Sequence, residues 1–377
     1  MSAGAAAGAL EAELTGDVVE LRFADGNSVE LHRLALRDGC PCTECRHPVS
    51  GQRLFESRAV VPDAQIVSAS VDGGTLELQW ADGHRSTFGE QWLAAEATAA
   101  ADGQRPRRPV TLWGSELGSD LPVERYEDVV SDRRALRRWL AAVAEYGFAV
   151  LTGAPTDEET VAGVAELFGH VRTTNYGRVF DVSVRVDATN LADTALPLSL
   201  HTDNAYRIPT PTLQLLQCLV SDAAGGETVL ADGFRAVEAL GEASPAQLGT
   251  LARTPIRFGY RDEWAELSAD VPIVELEPDG SPRAVHVNNR SKGIPAGSPI
   301  AVTAWYEAYF ELLHLLERPE SQVVFRLEPG DVVVFDNLRV LHARTGFSGQ
   351  GSRRLQGCYA DQDSLLSTLA LLEREAE

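Results

Sequence analysis

Three cysteines within six positions constrain the fold of this 377-residue chain more than any other feature of its sequence. Cys40, Cys42 and Cys45 lie in a segment with Gly39 and Pro41, and both of these residues favour a tight turn. A tight turn would let the three thiols converge on one metal ion. Since the chain has five cysteines, an odd number, it makes a poor disulfide framework, and the cluster indicates a metal site.

Two similar segments flank the cysteine cluster, and both are typical of β-hairpins. Each has two short runs of alternating apolar and polar residues that are joined through an Asp-Gly turn. The runs are Val18–Phe23 with Ser28–Leu31, and Thr75–Trp80 with Arg85–Phe88. We therefore expect residues 1–100 to form a small β-rich N-terminal domain.

A tetrahedral zinc site needs a fourth ligand beside Cys40, Cys42 and Cys45, and two histidines compete for that role. His47 is closer along the chain, whereas His84 follows a hairpin turn, where a strand would hold its ring rigidly. We favour His84. Four protein ligands leave no open position, so the zinc would be structural and catalysis would lie elsewhere. The alternative is three reduced cysteines without a metal, which would be an oxidation hazard on the surface.

The charge and hydropathy of the chain argue against several classes of partner. The formal net charge is -22 and no basic stripe offsets it, which disfavours binding to nucleic acid or to an anionic membrane. The sequence has no apolar run of the roughly 18 residues that a membrane span needs. Its first residues lack the basic and apolar segments of a signal peptide. We expect a soluble, cytoplasmic protein.

Residues 121–377 are predicted to form one large domain after a linker at residues 101–120. Apolar residues at helical spacing predict helices over Ser131–Tyr146, Glu158–Phe168 and Thr303–Arg318. Short runs typical of strands lie between and after them: Phe148–Leu151, Leu213–Val220, Glu227–Leu230, Ile273–Leu276, Ala284–Asn288, Val323–Leu327, Asp331–Phe335 and Arg354–Ala360. Their lengths and frequent turn residues predict an antiparallel sandwich or barrel rather than a parallel sheet.

His201 and Asp203 form a candidate metal site, because residues two apart in a strand face the same side. A second histidine, His342, follows the apolar strand near residue 335, and a sandwich would bring the two strands side by side. Two imidazoles and one carboxylate occupy one face of an octahedron and leave the opposite face open for substrate and O2. Non-haem Fe(II) oxygenases use this arrangement.

Two consecutive arginines follow His342 and point to opposite faces if they lie in a strand. One of Arg353 and Arg354 could then line the metal pocket while the other reaches solvent or an acid. A guanidinium fork inside a pocket suits a carboxylate co-substrate.

Taken together, these segments resemble the γ-butyrobetaine hydroxylase branch of the TauD/TfdA-type Fe(II)/2-oxoglutarate dioxygenases. The resemblance covers nearly the whole chain and rests on Leu36–Cys45, Trp80–His84, Leu198–Asp203, Gly225–Thr228 with Asp232-Gly233, Leu341–Arg344 and Ser352–Tyr359. It implies a mainly β fold with helices (α+β), in which a double-stranded β-helix (jelly-roll) catalytic domain follows the small zinc-binding β domain.

The resemblance also implies a reaction and its cofactors. Iron would be held by His201, Asp203 and His342, and 2-oxoglutarate would chelate it and pair its distal carboxylate with Arg353. The enzyme would use O2 to hydroxylate a small ammonium-bearing acid, γ-butyrobetaine or a related amine, and would release succinate and CO2. Stimulation by ascorbate and a homodimer are the further expectations.

The substrate pocket departs from the pattern of γ-butyrobetaine hydroxylases. Tyr176 and Tyr359 match positions of the aromatic cage that surrounds a trimethylammonium group. Phe180 stands where the pattern has a tryptophan, and Asp193 stands where it has a tyrosine. An anionic Asp193 could pair with an ammonium group, or it could face solvent while other residues rebuild the cage.

The acid end of the substrate and two other functions stay open at this stage. Asn190 and either Asn288 or Asn289 match polar positions suited to a substrate acid group. A different amino acid, an aminophosphonate or a trimethyllysine-like substrate is the alternative to a betaine. A non-catalytic zinc-binding ligand sensor on the same scaffold is a second class of function, which the intact set of iron and co-substrate residues disfavours.

Overall fold

The chain folds into two compact units, Met1–Arg108 and Pro109–Glu377. The computed structural model describes residues 9–24, 26–102, 108–183, 194–347 and 351–376. Across these parts of the chain, none of the helices combines the length and the apolar character that are needed to span a bilayer.

Two three-stranded antiparallel sheets make up the N-terminal unit, in the orders β1-β2-β3 and β4-β5-β6. Its strands are β1 Ala9–Thr15, β2 Val18–Phe23, β3 Ser28–His32, β4 Ile66–Asp72, β5 Thr75–Trp80 and β6 Arg85–Phe88, and its helices are α1 Arg33–Asp38, α2 Ser57–Val60 and α3 Glu90–Asp102. The four predicted runs are the strands β2, β3, β5 and β6. Val19 and Leu21 of β2 are fully buried while Glu20 between them is not, as the alternation requires.

A six-stranded and a four-stranded sheet form the centre of the C-terminal unit, in the orders β7-β8-β18-β11-β20-β9 and β10-β19-β12-β17. All neighbours pair antiparallel except β7 and β8. The strands of the unit are β7 Val123–Arg125, β8 Phe148–Thr152, β9 Phe180–Ser183, β10 Leu198–His201, β11 Leu213–Ser221, β12 Thr228–Asp232, β13 Ile256–Arg261, β14 Glu266–Val271, β15 Val274–Leu276, β16 Pro282–Val285, β17 Gln322–Phe325, β18 Val332–Asp336, β19 Val340–Arg344 and β20 Arg353–Ala360.

Helices cover the outer faces of both sheets. They are α4 Tyr126–Ser131, α5 Arg133–Tyr146, α6 Thr160–Glu166, α7 Gly233–Ala243, α8 Pro245–Arg253, α9 Pro299–Glu317 and α10 Gln362–Arg374. The six-stranded sheet packs against α5, α6 and α10, whereas the four-stranded sheet packs against α7, α8 and α9. This two-sheet architecture confirms the predicted jelly-roll class of the fold.

Alternation along the strands decides which side chains lie between the two sheets. On β19, Leu341 packs outward against the helices, while Val340 belongs to the apolar cluster between the sheets. His342 therefore also faces the interior of the sandwich. The same period of two directs Arg353 and Tyr359 of β20 inward, and both line the interior cavity.

Most predicted elements are present, with some changes in position. The strands expected in the two main sheets lie within two residues of their predicted bounds. The runs near residues 273 and 284 instead form a separate hairpin, β15-β16. The helices α7 and α8 were missed, because short amphipathic helices with interspersed glycine give weak periodic signals. The hairpin β13-β14 was also missed, although β13 alternates between buried and exposed residues.

A buried ion pair ties the two sheets to the surrounding chain. Arg339, in the turn between β18 and β19, donates to both carboxylate oxygens of Asp232, at 3.0 and 2.8 Å. It also donates to the backbone carbonyls of Glu145 and Thr111. Asp232 in turn accepts from the backbone N–H of Phe234 and begins α7. Both charged side chains are almost completely buried, so each depends on the other for compensation.

We predict that Asp232→Ala lowers the free energy of unfolding by about 3–5 kcal/mol, because it leaves the Arg339 charge buried without a partner. Urea unfolding followed by circular dichroism measures the change. Glu375→Gln is the control, since it breaks the exposed Arg133–Glu375 ion pair and should cost about 0–1 kcal/mol. Equal losses in the two variants would contradict the prediction.

Candidate metal centre

His201, Asp203 and His342 meet where β10 pairs with β19. His201 lies directly opposite His342 in the register of the two strands, and their ring centroids are 4.1 Å apart. The Nε2 atom of His201 is 3.5 Å from Oδ1 of Asp203, and Nε2 of His342 is 4.0 Å from Oδ2. The three candidate ligand atoms lie within 4.8 Å of one another, so one ion can contact all of them.

The protonation states of this group suit a metal ion. Burial lowers the pKa of both imidazoles, so at neutral pH the rings are uncharged and their nitrogen lone pairs are available. His201 donates from Nδ1 to the carbonyl of Ser199, 2.8 Å away, which leaves Nε2 to face the site. Burial opposes ionisation of Asp203, but electrostatic interactions with His342, His201 and Arg290 and a hydrogen bond from Tyr359 outweigh it and lower the pKa of the carboxyl.

Two buried asparagines fix the backbone that carries His201 and Asp203. Asn337 accepts from the backbone N–H of Asp203 at 2.7 Å and donates to the carbonyls of Asp203 and Pro211, both at 2.9 Å. Asn288 donates to the carbonyl of Thr202 at 2.9 Å. The carboxylate itself is oriented by the Tyr359 hydroxyl, which donates to Oδ2 at 3.0 Å. These contacts hold the three donors in a preformed arrangement.

The three side chains line an interior cavity of about 740 Å³. One side of the group formed by His201, Asp203 and His342 faces this space. Two neutral imidazoles and one carboxylate on a single face, with room on the other, fit an Fe(II) ion that keeps positions open for other ligands.

Arginines line one part of the cavity wall. Arg353 is buried and forms no ion pair with any described acid, and its guanidinium lies 5.8 Å from the ring of Phe347. A Cβ at Gly226 would meet Arg353 at 3.0 Å, so the absence of a side chain there makes room for it. Arg344 also lines the cavity, but it donates to the carbonyls of Thr194 and Leu196.

Arg354 points to the opposite face of β20, as alternation predicts. It pairs with Glu158 and Asp181 at 2.6 and 2.8 Å. Arg353 is therefore the arginine of this pair that remains available to an anion inside the cavity.

Aromatic rings line a second part of the wall. Phe180 stacks on Tyr359 at 5.1 Å, and Tyr176 lies 6.1 Å from Phe180. Tyr260 of the β13-β14 hairpin contacts Tyr176 edge to face at 5.6 Å and stacks on Tyr206 at 5.1 Å. Phe180 lies so close to the backbone of Gly357 that a Cβ there would meet its ring at 2.6 Å. The five rings form one continuous aromatic surface.

The structure brings most of the predicted pocket residues together. Tyr176, Phe180, Asn288 and Tyr359 all line the cavity with the three metal-site residues and Arg353. Asn190 and Asp193 lie outside the described residues. The cavity residues that sequence reasoning missed are Tyr206, Thr228, Tyr260, Arg290 and Arg344. The alternation of Ile256, Phe258 and Tyr260 was a usable strand signal, whereas Tyr206 and Arg290 lie in turns without any periodic pattern.

In the N-terminal unit, the cysteine cluster closes around His84. Its Nε2 atom lies 3.3, 3.6 and 3.5 Å from the sulfurs of Cys40, Cys42 and Cys45. His47 is used elsewhere, since its Nδ1 accepts from the backbone N–H of Ser50 at 3.1 Å. Three thiols and one imidazole form a four-donor set that fits a tetrahedral zinc ion.

Comparisons with known proteins agree with this geometry. The sequence profile of the taurine catabolism dioxygenase TauD, TfdA family matches residues 106–359, and the profile described as gamma-butyrobetaine hydroxylase-like, N-terminal, matches residues 10–94. The gamma-butyrobetaine dioxygenase of Pseudomonas sp. (strain AK-1) is 36% identical over 361 residues, which is 94% of each chain. The mitochondrial trimethyllysine dioxygenase of Gallus gallus is 30% identical, over 97% of this chain and 88% of that protein.

A solved structure of asparagine oxygenase shares the fold. It superposes with a TM-score of 0.50 at 22% identity, over 66% of this chain and 87% of that chain. The protein is thus a jelly-roll enzyme of the Fe(II)/2-oxoglutarate-dependent dioxygenase class. More narrowly, it belongs to the TauD/TfdA family and carries the N-terminal domain of the gamma-butyrobetaine hydroxylase-like proteins.

We predict that Asn337→Leu weakens Fe(II) binding by about 10–100-fold, because it removes three hydrogen bonds, two of which hold Asp203. Anaerobic titration calorimetry measures the affinity. Gln362→Leu is the matched control, since that amide donates to Asp336 in the same turn but does not contact a metal-site residue. A similar loss of iron affinity in both variants would show that Asn337 acts only through stability.

Proposed function

We propose that the enzyme hydroxylates a small acid that carries a quaternary ammonium group, with γ-butyrobetaine as the first candidate. Iron, 2-oxoglutarate and O2 supply the oxidising chemistry, and succinate and CO2 are released. The observation that carries the proposal is the aromatic surface of Tyr176, Phe180 and Tyr359 in the same cavity as the metal site.

The tyrosine hydroxyls of this surface are already engaged by the protein. Tyr359 donates to Asp203, and Tyr206 donates to Asn204 at 2.6 Å while it shares a second hydrogen bond with Tyr176 at 2.9 Å. The hydroxyl of Tyr260 donates to the exposed carboxylate of Asp262 at 2.7 Å. Because the hydroxyl protons are committed to partners within the protein, the surface offers its ring faces and no free hydroxyl donor.

Ring faces of this kind favour a methylated cation over a primary amine. A quaternary ammonium group has no N–H to donate and loses little when it leaves water, whereas a primary ammonium group gives up strong hydrogen bonds to water that ring faces do not replace. Burial raises the pKa of Tyr176, Tyr206 and Tyr359, so these hydroxyls stay neutral and the rings do not titrate in the neutral range. Two relatives are named for substrates that carry a quaternary ammonium group, the gamma-butyrobetaine dioxygenase and the trimethyllysine dioxygenase.

The metal-site residues, Arg353 and Phe180 then have roles that their positions support. His201, Asp203 and His342 would hold the iron, and Arg353 would pair with the distal carboxylate of 2-oxoglutarate. Burial lowers the pKa of the Arg353 guanidinium, but the group remains protonated at neutral pH, and no described acid competes for it. Phe180 gives a weaker cation–π contact than a tryptophan would at the same place.

We also propose that the N-terminal unit holds one structural zinc ion through Cys40, Cys42, Cys45 and His84. Thiolate donors select zinc over the hard oxygen-bound metals, and four protein donors leave no position for substrate. This zinc would stabilise the fold of the unit and take no part in oxidation.

We expect succinate formation with Fe(II), 2-oxoglutarate and ascorbate when γ-butyrobetaine is supplied. The value of kcat/KM should exceed that for 4-aminobutyrate by about tenfold or more, as expected for a desolvated cation–π site. A higher rate with trimethyllysine would favour that second candidate. Equal or better turnover of the primary amine, or no succinate with any ammonium-bearing acid, would contradict the proposal.

Two variants of Phe180 provide the control for this assay. Phe180→Leu should raise KM for the quaternary substrate by about tenfold, because it removes a ring face, while KM for 2-oxoglutarate stays unchanged. Phe180→Tyr keeps the ring face and should behave like the parent enzyme. A rise in KM that is equal for the quaternary substrate and the primary amine would remove the ring from cation recognition.

For the zinc site, we predict one zinc ion per chain by elemental analysis, and loss of that zinc with His84→Asn. Removal of the metal should lower the unfolding temperature, since binding of a structural zinc contributes folding free energy. His47→Asn is the matched control and should keep the full zinc content. Retained zinc in His84→Asn together with loss in His47→Asn would reverse the assignment of the fourth ligand.

A further inference from the structure

Arg290 is a positively charged residue of the cavity wall, and the roles proposed above give it no ligand. It lines the same cavity as the metal site and is solvent-exposed, so it lies where the cavity opens. No described aspartate or glutamate forms an ion pair with it. A cation of this kind inside a substrate cavity is available to an anionic group of a ligand.

The turn that carries Arg290 is held rigidly. The backbone N–H of Arg290 donates to the side-chain oxygen of Asn288 at 3.1 Å, and the N–H of Gly259 on β13 donates to the carbonyl of Ser291 at 2.9 Å. The next side chain, Lys292, packs its ammonium group against three aromatic rings of α9, at 5.2 to 5.7 Å from their centroids. The turn is thereby anchored on both sides of Arg290.

Arg290 and the three side chains of the metal site line the same cavity. An anion bound by Arg290 would therefore lie in the space that the metal site faces.

Three other polar side chains of the cavity, those of Asn288, Arg344 and Arg353, are less suited to a second carboxylate. Asn288 donates to the carbonyl of Thr202 and accepts from Arg290, so its amide has at most one hydrogen left for a ligand. Arg344 is engaged by the two carbonyls described above. Arg353 is the proposed partner of 2-oxoglutarate. Among the described side chains, Arg290 remains as the cation that can meet the substrate acid.

We propose that Arg290 binds the carboxylate of the substrate and thereby orients it between the aromatic surface and the metal site. This inference rests on the proposed function. It adds Arg290 to the polar positions that the sequence suggested for the acid group, Asn190 and either Asn288 or Asn289, and it gives Asn288 the further role of positioning Thr202 and the Arg290 turn. The two ends of the substrate would then meet different parts of the fold, since Phe180 and Tyr359 come from the six-stranded sheet and Arg290 from the turn after β16.

The test compares Arg290→Gln and Arg290→Lys on two substrates, γ-butyrobetaine and its carboxamide, in which the acid end is neutral and the ammonium group is kept. Arg290→Gln should raise KM for the acid by about 10–100-fold, as expected when a hydrogen-bonded ion pair is lost. KM for the carboxamide and for 2-oxoglutarate should change by no more than about twofold, and Arg290→Lys should recover part of the affinity for the acid. Circular dichroism and iron titration verify that the variants are folded and bind metal.

Arg283→Gln is the matched control for net charge. It removes one arginine from the neighbouring strand β16, where the side chain pairs with Glu275 at 3.9 Å and does not line the cavity. Its kinetic constants should equal those of the parent enzyme.

The outcomes separate this inference from the proposed function. If the parent enzyme converts the betaine and Arg290→Gln impairs acid and carboxamide equally, or raises KM for 2-oxoglutarate instead, the inference is wrong while the proposed function stands. If the parent enzyme converts no ammonium-bearing acid, the proposed function fails and the inference falls with it.

Discussion

The buried ion pair between Arg339 and Asp232 is the interaction on which the arrangement of the catalytic unit depends. Two opposite charges that are shielded from water stabilise a fold only when both are fully compensated. Here Arg339 donates to both oxygens of Asp232 and also to the backbone carbonyls of Glu145, at the end of α5, and Thr111. The pair fixes the turn between β18 and β19. The same turn carries Asn337, which holds the Asp203 backbone. It leads directly into β19, the strand that carries His342. A structural constraint and the metal geometry therefore share one short segment.

The electrostatics of the cavity differ from those of the molecule as a whole. The chain has a formal net charge of -22, yet its cavity presents the guanidinium groups of Arg353 and Arg290. Overall charge governs long-range attraction, whereas a carboxylate inside a cavity responds to the nearest donors, because screening weakens distant charges. The aromatic wall adds a surface that suits a cation without hydrogen-bond donors. An acidic protein can thus recognise both ends of a zwitterion locally.

Prediction succeeded where local pattern and tertiary environment coincide. The Asp-Gly hairpins of the N-terminal unit and the apolar stripe of α5 are visible in the sequence because burial of one face imposes a period. The pairing of His201 with Asp203 is visible because the two residues are two apart, with His201 at the end of β10 and Asp203 just beyond it. Tyr206 and Arg290 escaped prediction because turns have no such period, and their side chains reach the cavity only through contacts with distant segments. The hydrogen bond from Asn288 to the Thr202 carbonyl escaped prediction for the same reason, since it forms only in the folded chain.

The sequence by itself determined the chemistry that is present in this protein: the candidate metal donors, the cysteine cluster with a histidine, the arginine that we propose as the partner of 2-oxoglutarate, and the family to which they belong. These follow from residue type and spacing, which tertiary context does not alter. Only the tertiary structure decided which histidine joins the cysteines, which arginine of a consecutive pair faces inward and which rings form one surface. The reason is physical, because convergence of side chains from distant segments depends on strand register and on the packing of two sheets, and neither quantity is encoded in any local stretch.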